Sequence, residues 1–326
     1  MAVYVPLERP EIDAVAEVFG LGGVVEWRGI PQGSINTNYR LETQRGRFFL
    51  RHTSVRAASE LEFEAALLSH LHESRFPAPT LVWTVDGRPF WSAFGGRISL
   101  FEWLTGDELS RADLDAEHAR AVGRELGKLH RVTNSFSGDR SNPYGGPIVR
   151  SWVEELLAHQ DGEIRAVSRE LGEALAAAEP LGELIPRGVI HGDLFMDNVK
   201  WIGDRISAFF DFEMACRDAL VLDLAIALNA WCFDSGRYLA DLSRPLLAGY
   251  QDERILGASE RDALYRAALF GAVRFTASRI RDFHLSGVPA DRLAPKDFRT
   301  YLARVRLLRA MGPAGFRTVL GLDGRA

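Results

Sequence analysis

The sequence predicts an α+β protein with two lobes, a small antiparallel β lobe over residues 1–104 and a larger helical lobe over residues 105–326. Three observations lead to this bilobal prediction. Up to about residue 105, short strand-like runs alternate with turns, and beyond it helical periodicity dominates. One β-rich island interrupts the helices between residues 187 and 212. Gly106-Asp107 is the predicted joint, and a cleft between two joined lobes is a common ligand site.

The small lobe is predicted to contain two helices and several short strands. A helix over residues 10–19 ends at the glycine-rich run 20–23, and a long helix covers residues 57–73. Asp86-Gly87 is a two-residue turn, which predicts a hairpin between residues 82–85 and 88–91. The remaining strands are predicted at residues 24–28, 37–42, 47–53 and 97–103.

The large lobe is predicted to be mainly helical. Apolar residues recur there at the spacing of one helix face. The predicted helices cover residues 114–131, 150–160, 163–179, 220–233, 237–250, 260–283 and 295–310.

Composition excludes several classes of protein. The chain has 39 basic and 44 acidic side chains, a net charge of −5, and no basic stripe, so neither nucleic acid nor an anionic membrane is a predicted partner. Two cysteines are too few for a disulfide framework. There is no signal-peptide pattern and no long apolar span, so we expect a cytoplasmic protein. The sequence leaves open whether the chain forms a homo-oligomer.

The most informative segment lies within the β-rich island. An apolar run leads into His191-Gly192-Asp193, and Asn198 follows five residues after Asp193. Residues 199–202 and 205–210 then form a predicted two-residue hairpin, whose regular register puts Asn198 opposite Phe209. Asp211 would point to the same face as Phe209, so an amide and a carboxylate oxygen would lie side by side. Hard oxygens of this kind suit Mg²⁺.

These side chains predict phosphoryl transfer when they are taken together. Asp193 is the predicted base for an attacking hydroxyl, and Asn198 and Asp211 are the predicted Mg²⁺ ligands. Taken singly, the three residues could equally cap a turn, begin a strand and cap a helix. His191 and Asp223 are expected to be structural, through hydrogen bonds to the backbone of this loop.

Three features of the small lobe fit an ATP site. The loop between two strands carries Gly33, Ser34 and Asn36, which could surround phosphates, although a plain β-turn fits too. Glu64 lies in an apolar helical stripe and needs a buried partner, for which Arg51 is the first candidate. Alternatively, Arg51 pairs with Glu60 or Glu62. The third feature is the linker strand, whose backbone could hydrogen-bond the edge of adenine, although it could also be an ordinary core strand. Its residues are Phe101, Glu102, Trp103 and Leu104.

The chain resembles the aminoglycoside phosphotransferase/choline kinase-like small-molecule kinases, and among them the type II homoserine kinases. The general resemblance rests on residues 191–198, Asp211-Phe212 and Leu129-His130. The narrower one rests on residues 209–218, 223–232, 274–279 and 295–298. It implies a protein-kinase-like fold, ATP and Mg²⁺ as cofactors, and phosphorylation of L-homoserine to O-phospho-L-homoserine in threonine biosynthesis. A kinase for another small alcohol, such as an aminoglycoside or choline, or a non-catalytic nucleotide-binding relative, are the alternatives.

An amino-acid acceptor would need charged partners in the large lobe. Its carboxylate requires a cation, and its ammonium requires an anion or carbonyl groups. The predicted acceptor-binding residues are Asp197, Glu213, Arg217, Asp218, Trp231, Arg274 and Arg279.

Overall fold

A computed structural model describes residues 6–30, 36–178, 181–182, 184–285 and 296–323. The small lobe is an antiparallel sheet with two helices, one before the first strand and one between the third and fourth strands. Burial alternates along the strand Thr37–Thr43, as expected for a sheet with one covered face. Its elements are α1 (Arg9–Val18), β1 (Val24–Ile30), β2 (Thr37–Thr43), β3 (Gly46–Thr53), α2 (Ala58–Glu73), β4 (Leu81–Val82), β5 (Trp91–Ala93) and β6 (Gly96–Glu102).

The sheet has the strand order β1-β2-β3-β6-β4, and β5 also pairs with β6. The predicted hairpin around Asp86-Gly87 is therefore wrong, because β4 and β5 both pair with β6 rather than with each other. A tight turn is nevertheless present. The N–H of Gly87 donates to the Thr84 carbonyl at 2.9 Å, and the N–H of Thr84 donates to the Arg88 carbonyl at 2.9 Å.

The two helices of the small lobe contribute to different cores. Ile12 and Val15 of α1 pack with Leu41, Leu50 and Leu100 of the sheet. In contrast, the apolar side of α2 joins the core of the large lobe. The helix α2 therefore lies between the sheet and the helices, where one charged side chain on its buried face can reach both.

The large lobe contains the long helices predicted from periodicity, with a few short strands among them. Its elements are β7 (Asp107–Glu108), α3 (Ala116–Val132), α4 (Gly146–Leu157), α5 (Gly162–Ala178), β8 (Arg187–Ile190), β9 (Val199–Ile202), β10 (Arg205–Phe209), β11 (Cys216–Ala219), α6 (Leu220–Trp231), β12 (Phe233–Asp234), β13 (Arg237–Tyr238), α7 (Ala240–Glu253), α8 (Ala258–Arg279) and α9 (Arg299–Leu320). Among the helices of the described residues, none is long and apolar enough to cross a bilayer.

Four predicted helices differ clearly from the observed ones at their ends. The helix predicted at residues 150–160 is α4, which begins four residues earlier at Gly146 and ends at Leu157. Residues 237–238 form the strand β13 rather than the start of α7. The helix α8 ends at Arg279 and continues as a π-helical turn, Ile280–His284. The helix α9 continues to Leu320, past a kink at Gly312, whose φ of 63° breaks the regular helix immediately before Pro313.

Glycines allow α3 and α7 to cross at close range. A Cβ atom on Gly123 would lie 1.9 Å from the carbonyl oxygen of Leu246. A Cβ atom on Gly249 would lie 2.0 Å from the carbonyl oxygen of Arg120. Backbone therefore packs directly against backbone at this crossing, which also positions His130 near the end of α3.

The hairpin of β9 and β10 does not keep the regular register that the sequence predicts. Ile202 faces Arg205, but a bulge at Ser207 shifts the pairing by one residue. The Ser207 hydroxyl donates to the Thr105 carbonyl at 2.9 Å, which ties the bulge to the joint between the lobes. Asn198 consequently lies opposite Phe210 rather than Phe209, and its carbonyl accepts the Phe210 N–H at 3.0 Å.

Candidate functional site

One buried carboxylate organises the loop that follows β8. Asp223 lies near the start of α6 and is fully buried. It accepts the backbone N–H groups of His191 at 2.7 Å and Gly192 at 2.8 Å. His130 donates to the same carboxylate from Nε2 at 3.0 Å, while its Nδ1 accepts from the Tyr250 hydroxyl at 2.7 Å. Burial alone would raise the pKa of Asp223, but these donors lower it.

The His191 side chain connects this loop to the end of β10. Burial lowers its pKa, so the ring is neutral. Nε2 donates to the Phe210 carbonyl at 3.0 Å, which leaves Nδ1 to accept the N–H of Asp193 at 3.3 Å. The ring also packs on Phe212 at 4.7 Å. These contacts agree with a structural role for both His191 and Asp223.

Asp193, Asn198 and Asp211 gather at the mouth of this loop. The Asn198 amide donates to the Asp193 carbonyl at 2.7 Å and to its carboxylate at 3.3 Å, so its own Oδ1 stays free to act as a ligand. Burial raises the pKa of Asp193, and the Arg274 guanidinium opposes this shift. Burial and the neighbouring Glu213 carboxylate raise the pKa of Asp211 well above its usual range.

Asp211 reaches the site through an unusual backbone conformation. Its φ of 64° lies in the left-handed region, which non-glycine residues rarely adopt. The side chain therefore does not follow the alternation of β10, and the left-handed turn rather than strand register decides where it points. Strained residues of this kind concentrate at functional sites.

The donor set fits a divalent cation held together with phosphates. Burial, Glu213 and Asp193 all raise the pKa of Asp211, so a cation bound beside it would favour its ionised form. Within the described residues, no group of three or more His, Cys, Asp or Glu side chains could hold a metal alone. Two hard oxygens, from Asn198 and Asp211, match Mg²⁺, which keeps few protein ligands and completes its shell with phosphate and water.

A buried ion-pair network lies on the small-lobe side. Arg51 donates to Glu64 at 2.8 Å, and Arg56 contacts the other Glu64 oxygen. Burial would raise the pKa of Glu64, but the two guanidinium groups lower it to about 2. Arg51 also lies 3.5 Å from Asp211, and so connects the sheet to the site. Glu60 pairs instead with Arg140.

Glu213, a predicted acceptor residue, takes part in this network. Both of its carboxylate oxygens accept from the Asn36 amide, at 3.1 and 3.0 Å. It also lies 3.6 Å from Arg56 and 4.0 Å from Arg51. Glu213 thus connects the large lobe to the end of the small-lobe loop. The predicted phosphate-loop residues Gly33 and Ser34 lie outside the described residues.

Part of the linker strand is hydrogen-bonded within the small lobe. Phe101 is buried, and the Arg51 guanidinium lies 5.1 Å from its ring centroid. The N–H of Glu102 donates to the Thr80 carbonyl, and that of Trp103 donates to the Arg47 carbonyl. These two N–H groups are therefore not available to an adenine edge, in contrast to the simple expectation for a linker. Leu104 follows them and is half-buried.

The structure does not bring Arg217 and Asp218 to the site. Arg217 donates from Nε to the Gly138 carbonyl at 2.8 Å. Asp218 accepts from Asn142 at 2.6 Å and from Arg187 at 2.7 Å. Both side chains instead fasten β11 and the neighbouring loop, and neither contacts the Asp193 side chain.

Two more predicted acceptor residues, Trp231 and Asp197, differ in exposure, and Asp197 is close enough to Asp193 to oppose its ionisation. Trp231 is fully buried and donates from Nε1 to the Leu194 carbonyl at 3.0 Å, so it supports the loop from behind. Asp197 is exposed at an open cavity of about 320 Å³, which is lined by Glu108, Leu109, Arg111, Phe195, Met196, Asp197 and Ala230.

Arg274 and Arg279 do lie beside Asp193. Arg274 is buried and donates to the Gly192 carbonyl at 2.7 Å. Burial lowers the pKa of Arg279, and the Asp193 and Asp197 carboxylates oppose this shift. Its guanidinium lies 4.5 Å from the ring centroid of Tyr301. Both arginines come from the end of α8, which points at the loop.

Sequence reasoning missed Arg56 and the role of His130. Arg56 precedes α2 in a turn, where no periodicity marks it as buried. His130 is in a recognisable motif, but its pairing with Asp223 joins residues 93 positions apart. The buried carboxylate of Asp223 in an otherwise apolar helix was the available signal, since such a group requires donors.

Comparisons with known proteins identify the family of the chain. The model of the phosphotransferase enzyme family matches residues 26–274. The homoserine kinase of Parvibaculum lavamentivorans is 35% identical over 99% of this chain and 100% of its own length. The homoserine kinase of Hyphomonas neptunium is 33% identical over 96% of this chain and 98% of its own.

Two solved structures share the fold at low sequence identity. An amicoumacin kinase, in complex with AMP-PNP and Ca²⁺, superposes with a TM-score of 0.74 at 15% identity over 94% of each chain. A microcompartment-associated aminopropanol kinase superposes with a TM-score of 0.68 at 18% identity, over 95% of this chain and 98% of its own. The bilobal, protein-kinase-like prediction is thereby confirmed. With a family match over most of its length and full-length relatives above 30% identity, the chain belongs to the phosphotransferase enzyme family.

Proposed function

We propose that the protein is a kinase that uses ATP and Mg²⁺ to phosphorylate the side-chain hydroxyl of L-homoserine. The observation that carries the proposal is the grouping of Asp193, Asn198 and Asp211 around one loop, in a chain whose full-length relatives are homoserine kinases. The product, O-phospho-L-homoserine, would serve threonine biosynthesis.

Each side chain has a definite task in this proposal. The Asp193 carboxylate accepts the hydrogen bond of the substrate hydroxyl and takes its proton as the oxygen attacks the γ-phosphorus. The new O–P bond forms as the bond between the γ-phosphorus and the bridging oxygen breaks, and ADP leaves. Mg²⁺, held by Asn198 and Asp211, would neutralise phosphate charge. Arg51, held by Glu64, would orient the phosphates.

The nucleotide would bind between the two lobes, which we propose to divide near residues 104 and 105. Two contacts already cross from the sheet to the large lobe. Arg51 reaches Asp211, and Asn36 donates to Glu213. Phosphates entering at this point would meet Arg51 and the end of the small-lobe loop together. The linker residues 101–104 would then lie near the adenine.

The first test is ADP release in the presence of Mg·ATP, with L-homoserine, L-serine, L-threonine, choline and kanamycin as separate acceptors. We expect saturable turnover with L-homoserine. Turnover on choline or kanamycin alone would contradict the proposed acceptor, and no turnover on any of the five would contradict the proposed activity.

The role of Asp193 is tested with Asp193→Asn. Loss of the proton acceptor should lower kcat by about 10²- to 10⁴-fold, with the melting temperature nearly unchanged. Asp204→Asn is the matched control, because Asp204 is exposed at the β9–β10 turn. An Asp193→Asn variant that keeps wild-type kcat would refute the assigned role.

A further inference from the structure

The side chain of Arg140 joins three separate segments beside the site. Arg140 lies in the loop between α3 and α4, and its side chain is only 12% exposed. Nη1 donates to the backbone carbonyls of Glu213 at 2.6 Å and Ala215 at 2.9 Å. Nη2 donates to the carboxylate of Glu60, in the first turn of α2. One planar guanidinium therefore connects a large-lobe loop, the segment after β10 and a helix of the small lobe.

The segment that Arg140 holds comes directly after Asp211, a proposed Mg²⁺ ligand. Residues Phe212–Met214 form a single 3₁₀ turn, which the Ala215 N–H closes by donating to the Phe212 carbonyl at 3.0 Å. Asp211 precedes this turn with a φ of 64°. A non-glycine residue keeps such a conformation only where the surrounding structure holds it. The anchoring of the next turn by Arg140 therefore helps to decide where the Asp211 carboxylate points.

The other end of this contact lies on the helix that carries Glu64. Glu60 precedes Glu64 by about one helical turn, and Glu64 holds Arg51, the residue proposed to orient the phosphates. Burial would raise the pKa of Glu60, but the Ala57 N–H and the Arg140 guanidinium lower it, so this contact is an ion pair. A forked guanidinium fixes both the distance and the direction between its partners. The helix α2 is thus held in place relative to the turn.

We infer that Arg140 is a positioning residue for phosphoryl transfer, which keeps the metal side and the phosphate side of the site in one alignment. It acts on Asp211 through the turn that follows that residue. It acts on Arg51 through α2, by way of Glu60 and Glu64. The inference rests on the proposed function, because that function gives Asp211 and Arg51 their tasks.

Nucleotide binding tests the inference without any acceptor molecule. Isothermal titration with the non-hydrolysable ATP analogue AMP-PNP, with and without Mg²⁺, measures the gain in nucleotide affinity that Mg²⁺ provides. Arg140→Met should lower this gain by about 10-fold or more, the usual cost of losing a side chain that orients a metal ligand. An equal gain in the wild-type protein and in Arg140→Met would overturn the inference.

Arg165→Met is the matched control. The Nη1 of Arg165 also donates to two backbone carbonyls, those of His159 at 2.9 Å and Gln160 at 2.6 Å, but in the turn before α5. This variant should keep the wild-type gain from Mg²⁺, even if it melts at a lower temperature. A gain that falls in both variants in step with their melting temperatures would show a general effect of stability and would overturn the positioning role.

Glu60→Gln is a milder variant that keeps the test possible if Arg140→Met does not fold. Glu60 gives one oxygen to the Ala57 N–H at 2.9 Å and the other to Arg140, whereas glutamine has a single oxygen for these two donors. Glu60→Gln should therefore lower the gain from Mg²⁺, and the double variant should lower it no further than Arg140→Met alone, because both changes break one contact. An unchanged gain in Glu60→Gln, or losses that add up, would overturn the inference.

The same titration separates the inference from the proposed function. A wild-type protein whose affinity for AMP-PNP gains nothing from Mg²⁺ would reject the proposed function, and the inference with it. A protein that shows the expected losses in the variants but does not phosphorylate L-homoserine would support the role of Arg140 and reject the proposed acceptor.

Discussion

The buried carboxylate of Asp223 leads to a prediction about the stability of the fold. It accepts two backbone N–H groups, from His191 and Gly192, and the Nε2–H of His130, at distances between 2.7 and 3.0 Å. The side chain is fully buried, so no water can replace a lost acceptor without a rearrangement of α6. Asp223→Ala would leave all three donors unsatisfied.

The magnitude follows from the number and kind of these hydrogen bonds. A hydrogen bond to a charged group contributes about 1.5–3 kcal/mol, but three on one carboxylate are not additive. Breaking a buried charged pair typically costs about 3–5 kcal/mol, and we expect Asp223→Ala to lose that much of its free energy of unfolding. Asp223→Asn keeps one acceptor oxygen in place, so its loss should be smaller.

The assay is urea denaturation followed by tryptophan fluorescence, with ADP release measured in parallel. Asp252→Asn is the control, since Asp252 forms ion pairs at the surface with Arg120 and Arg124. Such pairs contribute about 0–1 kcal/mol, so the control should unfold nearly like the wild type. The reasoning is refuted if Asp223→Ala loses no more stability than Asp252→Asn.

Two further variants test the packing and the ion-pair network. Gly249→Ala should destabilise the protein by about 1–3 kcal/mol or more, because its Cβ would lie 2.0 Å from the α3 backbone. Gly172→Ala is the control, because its Cβ would lie 3.7 Å from the nearest atom, and it should be neutral or stabilise the protein by up to about 1 kcal/mol. Similar midpoints in urea for the two variants would contradict this account. Glu64→Gln should lose about 3–5 kcal/mol and weaken ATP binding, because it removes the counter-charge nearest to both Arg51 and Arg56. The folded-state pKa of Glu64 is lowered from 4.5 to about 2, so its contribution is complete above pH 4.5 and disappears as the pH falls toward 2. A stability profile that differs by a constant amount between wild type and variant over that range would contradict it.

The parts of the molecule that sequence could predict are those in which one pattern has one physical solution. The apolar stripe of α2 includes Glu64, and a carboxylate on a buried face must find a cation, which led to Arg51. The structure contains this pair at 2.8 Å. The hairpin of β9 and β10 also forms at Gly203-Asp204, where Gly203 has a φ of 56°. In both cases the constraint was local or followed from burial alone.

The predicted register failed where a distant contact intervened. An ideal two-residue hairpin would have aligned Asn198 with Phe209, but Ser207 bonds to Thr105, in the joint between the lobes, and the bulge follows. The left-handed conformation of Asp211 is a second departure that no alternation rule contains. Asn198 does bond to Asp193, and Asp193 acts on the pKa of Asp211, but the bulge and the turn that place them are not encoded by sequence pattern alone.

The predicted acceptor residues show which signal separates binding side chains from structural ones. Residue type and nearness in sequence suggested Arg217 as readily as Arg279. The Arg217 guanidinium, however, donates to the Gly138 carbonyl of a neighbouring loop. Arg279 lies at the end of α8, 86 positions after Asp193 in the sequence, yet the Asp193 and Asp197 carboxylates oppose the burial that lowers its pKa. Nearness to Asp193 in the folded chain is therefore a better criterion for a predicted acceptor residue than nearness to a motif in the sequence, because only side chains close in space can act on the same bound molecule. By that criterion Arg279 stays a predicted acceptor residue, whereas the hydrogen bonds of Arg217 hold the backbone of the neighbouring loop.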